Sequence, residues 1–321
     1  MKYDFTTVLD RRGKDSIAVE PFASDWMTWP AKTKEGFDLI PMWVADMNFP
    51  AVPTIPEAII ERTNHTTYGY FSPREEYFDA IIKWQRVRNG VEGLEPKHIG
   101  YENGVLGGVV SALNVICSKG DSVLLHSPTY IGFTNSLTNN GYHMVLSPLV
   151  KDENQVYRMD FEDMEKKIVE NHIHAAIFCS PHNPTGRVWE QWEIEKAMEI
   201  YRKHDVSLIG AYKPEGYEWV DELKEVLSGN INYACDYIEK HFEGIHVSKP
   251  EGTYMLFLDC TEWCQKHGKS ITELQAAGIE VGVIWQDGVA FHGPCHIRMN
   301  LALPFSRVKE AFERLDKYVF N

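Results

Sequence analysis

The segment Ser180-Pro181-His182-Asn183-Pro184-Thr185-Gly186 is the most specific candidate for chemistry in the chain. Its two prolines fix the backbone around Asn183, whose amide both donates and accepts, so a hydrogen-bonding group is presented from the loop. The same residues are also ordinary turn chemistry. Asn103-Gly104-Val105-Leu106 opens an apolar, helix-compatible run, and the free N–H groups of such a helix start suit a phosphate. Ser127-Pro128-Thr129-Tyr130 places an aromatic just past a strand end, where it would stack on a planar ring. Glycine-capped helix starts and core tyrosines are common, so neither signal is specific alone. Arg298 lies inside the apolar run Ile297-Arg298-Met299-Asn300-Leu301. A half-buried guanidinium there needs an anion, and a carboxylate matches its planar fork, with a structural salt bridge as the rival explanation.

Metal and nucleotide signals are weaker. Cys260 and Cys264 flank Trp263 with no second pair to complete a site. His292, Cys295 and His296 come closer to a ligand cluster, but His292-Gly293-Pro294 reads as a turn feeding a strand, and no metal is expected. Gly268-Lys269-Ser270 is not a phosphate loop, because Trp263 stands where the first glycine is required.

These residues need elements to position them. The 321 residues suffice for a full core and more than one domain. A prolyl-bounded loop, Pro41–Pro50, precedes expected helices at Thr54–Arg62 and Arg74–Arg88. Strand-like and helix-like segments then alternate: a helix over Val105–Ile116, strands at Ser122–His126 and Tyr142–Leu146, a helix over Asp160–Asn171, a strand at Ala175–Cys179 and a helix over Glu190–His204. That alternation predicts a mostly parallel three-layer α/β sheet, with the candidate loops at the carboxyl ends of its strands, where such sheets bind ligands. The last third reads as a smaller α+β domain, with helices over Asn230–Phe242, Ser270–Ala277 and Ser306–Phe320 and strands at Tyr254–Leu258, Glu280–Ile284 and His296–Leu301.

The formal charge of −14 argues against a polyanionic partner such as nucleic acid. No apolar run of membrane-spanning length occurs, the charged N-terminal stretch shows no signal peptide, and six scattered cysteines fit a reduced compartment, so a cytoplasmic protein is expected.

Taken in order, these motifs resemble the MalY/PatB-type cystathionine β-lyases, fold-type-I pyridoxal phosphate enzymes related to class I/II aminotransferases. The resemblance runs over nearly the whole chain, through Pro41–Pro50, Tyr68-Gly69-Tyr70, Glu102–Leu106, Ser127–Tyr130, Ser180–Gly186, Lys249–Tyr254 and Arg298–Pro304. It implies an aminotransferase-like three-layer sandwich plus a small α+β domain. The implied division is an N-terminal segment, 1–48, joining the small domain; a cofactor-binding large domain, 49–210; and a small domain, 211–321. It implies pyridoxal phosphate as cofactor, held at its phosphate by Gly104, Val105 and Leu106, stacked on Tyr130 and hydrogen-bonded through its phenolic oxygen to Asn183. Tyr70 would reach the phosphate in the neighbouring subunit of a homodimer. Arg298 would hold the α-carboxylate of a small sulfur-containing amino acid, and Trp43 would line its pocket.

The resemblance breaks after His204-Asp205-Val206. There the family pattern calls for a strand ending in an Asp-Glu pair, then a Ser-Lys pair followed by Phe and Asn, then a phosphate-binding arginine. The chain instead continues Ser207-Leu208-Ile209-Gly210-Ala211-Tyr212-Lys213-Pro214, which resembles the family again from beyond that lysine. What is absent amounts to at least two strand–helix units, roughly 60 residues at about 30 per unit, and it truncates the large-domain sheet. Ser118-Lys119 and Ser248-Lys249 lack the Phe-Asn context, and Lys213 reads as an exposed loop residue. No catalytic Schiff-base lysine is therefore expected, nor covalent attachment of cofactor. The resemblance implies a carbon–sulfur β-lyase giving thiol, pyruvate and ammonia, with turnover near background. Buried central strands deprived of neighbours also predict poor stability or aggregation. An aminotransferase of the same fold, and a non-catalytic remnant that binds a partner, are the alternative readings.

Overall fold

The structure is a computed structural model that describes residues 2–20, 29–211 and 217–320. Lys213 lies outside the described residues. The chain runs through β1 (Ile40–Pro41), α1 (Thr54–Thr63), α2 (Glu75–Asn89), α3 (Val105–Ile116), β2 (Ser122–Ser127), α4 (Ile131–Asn139), β3 (His143–Pro148), β4 (Val150–Lys151), β5 (Tyr157–Arg158), α5 (Phe161–Glu170), β6 (Ala175–Cys179), α6 (Gln191–Lys203) and β7 (Ser207–Ala211). It continues through α7 (Tyr217–His241), β8 (His246–Val247), β9 (Met255–Asp259), α8 (Thr261–His267), α9 (Ile271–Glu280), β10 (Val283–Ile284), β11 (Gln286–Asp287), β12 (His296–Asn300) and α10 (Phe305–Leu315).

The strands β3-β2-β6-β7 form a parallel sheet in that order. Side chains alternate across a strand, and here both faces are apolar because both are covered. Val123, Leu125, Ala175 and Ile177 pack with Val109 and Leu113 of α3 and Phe133 and Leu137 of α4. Leu124 and Ala176 point the other way, against Met164 and Ile168 of α5 and Ile200 and Tyr201 of α6. The result is the three-layer sandwich that the β/α alternation predicts. Local signals agree with it: Asp160 caps α5 by accepting from the Asp163 N–H at 3.0 Å, and Ser270 and Glu273 form a reciprocal capping box on α9.

The second sheet, β11-β12-β9-β8, is antiparallel. Its Leu256, Leu258, Ile297 and Met299 share a large core with α7, α9 and α10. The short parallel pair β1–β10 joins the N-terminal segment to this core.

Several elements differ from the sequence reading. The strand expected at Glu280–Ile284 shrinks to Val283–Ile284, because α9 runs on to Glu280 and Gly282 turns the chain at φ +79°. A Cβ at Gly282 would lie 2.1 Å from the Asp38 carbonyl oxygen, so only glycine fits. The helix expected at Asn230–Phe242 is the second half of a 25-residue helix, α7. The C-terminal helix is α-helical only to Leu315; Asp316–Phe320 forms a π turn. β7 carries no clear sequence period, yet it pairs with β6 over five residues, from Ala175↔Ser207 to Cys179↔Ala211.

The segment between the Pro41–Pro50 loop and α3 is packed differently. Neither α1 nor α2 buries a single residue, and Ile55, Ile59 and Ile60 of α1 are all exposed. Helices of 10 and 15 residues are marginal in water without tertiary packing. Among the described residues, Arg88 pairs with Asp221, which ties α2 to α7.

Candidate functional site

The loops singled out from sequence lie at the carboxyl ends of β2 and β6 and at the start of α3. Gly104 takes φ +84° as the residue before α3, a conformation that favours glycine. The first N–H groups of a helix have no intrahelical partner, and no side chain caps them here. Glu102 lies against this turn: a Cβ on Gly107 would sit 3.6 Å from its carboxylate oxygen. Gly104 and Val105 are exposed and Leu106 is half-buried. The Leu106 and Tyr130 side chains meet over Gly132, where a Cβ would fall 2.3 Å from the Tyr130 ring and 2.9 Å from Leu106. Tyr130 also packs edge-on against Phe133 at 5.3 Å between ring centroids.

From there the contacts lead to Arg298. The Thr129 N–H donates to the Phe291 carbonyl at 2.8 Å, and the Arg298 guanidinium stacks over the Phe291 ring at 4.4 Å. Arg298 is buried; its Nη2 donates to the Trp43 carbonyl at 3.0 Å and to Gln286 Oε1 at 2.8 Å. Nε and Nη1 are buried with no partner. Burial lowers the Arg298 pKa to about 10, while the phenols of Tyr130 and Tyr254 act the other way, so the group stays cationic at neutral pH. Two unpaired donors on a buried cation are costly to leave unmade, and a carboxylate is a suitable acceptor for either. Trp43 is itself buried, with its indole N–H on the Ala18 carbonyl at 3.0 Å. Its loop is held by Asn300, whose Nδ2 donates to the carbonyls of Val44 and Asp46.

Asn183 sits in a loop braced from beneath. The Ser180–Pro181 and Asn183–Pro184 peptides are both cis, and the Asn183 Oδ1 is buried without a partner. Gly186, at φ +74°, packs against the Lys249–Tyr254 motif: a Cβ there would lie 2.4 Å from Pro250 and 2.8 Å from Thr253. Its carbonyl accepts from the N–H groups of Glu251 and Gly252 at 3.0 and 3.1 Å. Gly186→Ala is therefore expected to destabilise the protein by about 1–3 kcal/mol, through overpacking and backbone strain together. Urea denaturation checks this; an unchanged midpoint would show that the loop relaxes freely.

Tyr70 is not gathered with these residues. It is fully exposed, beside exposed Tyr68 and Phe71, on the segment that carries α1 and α2. The lysines weighed as stand-ins are elsewhere too. Lys119 precedes β2, at the opposite end of the sheet, bonded to Asn114 and Tyr142, and Lys249 is exposed. β7 ends in Gly210-Ala211 beside Cys179 of β6. The expected turn at His292 is present, and the His296 Nδ1–H donates to the Pro294 carbonyl while the ring stacks on Phe257.

Residues 38–210 match the profile of the family described as aminotransferase class I and II. Cystathionine β-lyase PatB of Bacillus subtilis is 35% identical over 370 aligned positions, which take in 88% of this chain and 94% of that protein. The chain belongs to the aminotransferase class I and II family. Its relatives there are of the PatB/MalY cystathionine β-lyase type: Protein MalY of Escherichia coli is 26% identical over 64% of this chain and 51% of that protein. In fold, the pyridoxal-phosphate-bound C-S lyase of Staphylococcus hominis superposes with a TM-score of 0.87 at 24% identity, covering 100% of this chain and 99% of that one. The alignment with PatB is longer than the 321 residues of this chain, which is shorter than its relatives.

Beneath the site loops of this family member lies a buried polar group that sequence reasoning did not single out. His182 Nδ1 shares a hydrogen bond with Thr185 Oγ1 at 3.1 Å, and His126 Nε2 shares one with the Tyr201 hydroxyl at 3.4 Å. Burial lowers the pKa of His126 to about 4 and that of His182 to about 3. Both rings are neutral in the folded chain, whereas in the unfolded chain they titrate near 6.5. The unfolded state thus binds more protons between these values, and stability falls as pH drops from about 6.5 toward 4. The urea midpoint is expected to be lower at about pH 5 than at about pH 7; equal midpoints would contradict this. Phe291, Gln286 and Asn300 were also missed. Only Asn300 left a trace, as a second polar residue in the apolar strand with Arg298.

Proposed function

We propose that this chain keeps the recognition half of a pyridoxal-phosphate carbon–sulfur β-lyase site and lacks the half that turns substrate over. The observation that carries this is Arg298: a buried cation with two unpaired donors, next to Tyr130, suits an amino-acid carboxylate. Cystathionine and related cysteine S-conjugates are the substrate class, in keeping with the names of the relatives. The Trp43 loop and the Tyr68-Gly69-Tyr70 segment favour a lyase over an aminotransferase.

The residues present suit non-covalent holding of the cofactor. The α3 N-terminus at Gly104, Val105 and Leu106 takes the phosphate, Tyr130 the ring face, and Asn183 the phenolic oxygen. They do not suit its covalent chemistry. No carboxylate ends β7, where the ring nitrogen's partner belongs, and neither Lys119 nor Lys249 stands within the site.

Residues 1–48 and 211–321 build the small domain and 49–210 the incomplete large one. Tyr70 serves the neighbouring subunit of a homodimer, which its full exposure supports. The exposed face of α1 and α2 is the surface that a missing neighbour would cover. Among the described residues no helix is long and apolar enough to cross a membrane, and we assign the protein to the cytoplasm.

Thiol release from cystathionine, with pyridoxal phosphate added, tests the proposal. The chain is expected to match free cofactor; a rate some 10²-fold higher would show that a positioned base remains.

A further inference from the structure

We propose that Cys117, Asp121 and His174 form a zinc-type divalent metal site at the end of the parallel sheet opposite the cofactor loops. One ligand atom from each residue lies within 4.8 Å of the other two. Cys117 ends α3, Asp121 immediately precedes β2, and His174 immediately precedes β6, so three separate elements converge on one point. No sequence spacing betrays the cluster, because topology alone brings His174 beside the other two.

The donor set is chemically apt. A thiolate, a carboxylate and an imidazole are the ordinary zinc ligands, and three of them leave a fourth tetrahedral position for water. Tetrahedral bonds of about 2.0–2.3 Å put ligand atoms about 3.3–3.7 Å apart. His174 Nε2 and Asp121 Oδ2 are already 3.2 Å apart, and small side-chain rotations bring in Cys117. Asp121 is held in place by the Ser118 N–H, which donates to its Oδ2 at 2.7 Å; a ligating carboxylate is commonly oriented this way. Cys117 and Asp121 are half-buried and His174 is exposed, so an ion has both an enclosed seat and a way in.

The geometry separates this reading from a nucleophilic one. A cysteine nucleophile needs its thiolate favoured, but burial and the Asp121 carboxylate both raise the Cys117 pKa. A divalent cation reverses that balance by pairing with both negative groups. Bound there, it staples the last turn of α3 to the starts of β2 and β6, one turn beyond Leu113, the last buried residue of the helix.

Cobalt(II) titration of the full chain, freed of metal by a chelator, tests the site. One equivalent is expected to bind with a thiolate-to-cobalt charge-transfer band. The band is expected to vanish in Cys117→Ser, and affinity to fall at least about tenfold in Asp121→Asn and His174→Ala. Circular dichroism establishes that each variant is folded, and zinc is expected to displace cobalt and raise the Tm of the parent chain only. No band, or a band that persists in Cys117→Ser, would overturn the proposal.

Discussion

On the proposed reading, inserting between Val206 and Ser207 a segment with the expected Asp-Glu and Ser-Lys pairs should raise thiol release from cystathionine by at least about 10²-fold. A positioned general base contributes about 10²–10⁴-fold, and the electron-sink chemistry of the cofactor needs its ring nitrogen and its attachment secured as well. The recipient already offers Arg298 with two unpaired donors, Tyr130 against Leu106, and Asn183 on a braced loop. If the insert packs on α1 and α2, Ile55, Ile59 and Ile60, now exposed, should become protected from solvent. Steady-state kinetics reads the first effect and hydrogen exchange the second. An insert that folds and binds cofactor without any gain in rate would mean that the retained residues are not arranged for this chemistry.

Arg187→Ala is expected to destabilise the chain by about 3–5 kcal/mol, the cost of breaking a buried ion pair from one side. Arg187 and Glu193 are both buried, with Nη2 and Oε2 at 2.6 Å. Its Nε donates to the Tyr157 carbonyl at 2.9 Å, and Nη1 bonds Glu251 and the Val188 carbonyl. Losing the guanidinium removes the nearest counter-charge of the Glu193 carboxylate and leaves its Oε2 with the Glu190 N–H at 2.9 Å and Arg158 Nη1 at 3.3 Å. It also removes one of the links between the Asn183 loop and Glu251 in the Lys249–Tyr254 motif. Urea denaturation measures the loss. Adding Glu193→Gln to Arg187→Ala should recover part of it, since the buried charge is removed; strict additivity would show that the two residues act independently.

Much of the fold was legible because its signals are local. Val123-Leu124-Leu125 and Ala175-Ala176-Ile177 are apolar on both faces, as strands in a covered parallel sheet must be. Asp160, Ser270 and Gly104 mark helix starts by their own chemistry. What stayed hidden depends on distant neighbours. β7 forms because β6 offers an edge, not because Ser207-Leu208-Ile209-Gly210-Ala211 insists on a strand. The strand expected at Glu280–Ile284 failed on one close approach, Gly282 against Asp38, that no local pattern encodes. In the site, Arg298 was visible as a charge in an apolar strand, but the Phe291 ring beneath it and Gln286 beside it were not. Cys117, Asp121 and His174 show the same limit.

On the proposed reading, this chain recognises the cofactor and substrate of its family without a lysine to bind the cofactor covalently. Incubation with pyridoxal phosphate, borohydride reduction and peptide mapping by mass spectrometry test it most directly. Only scattered, substoichiometric labelling of surface lysines is expected. Stoichiometric labelling of one lysine, Lys213 included, would contradict it.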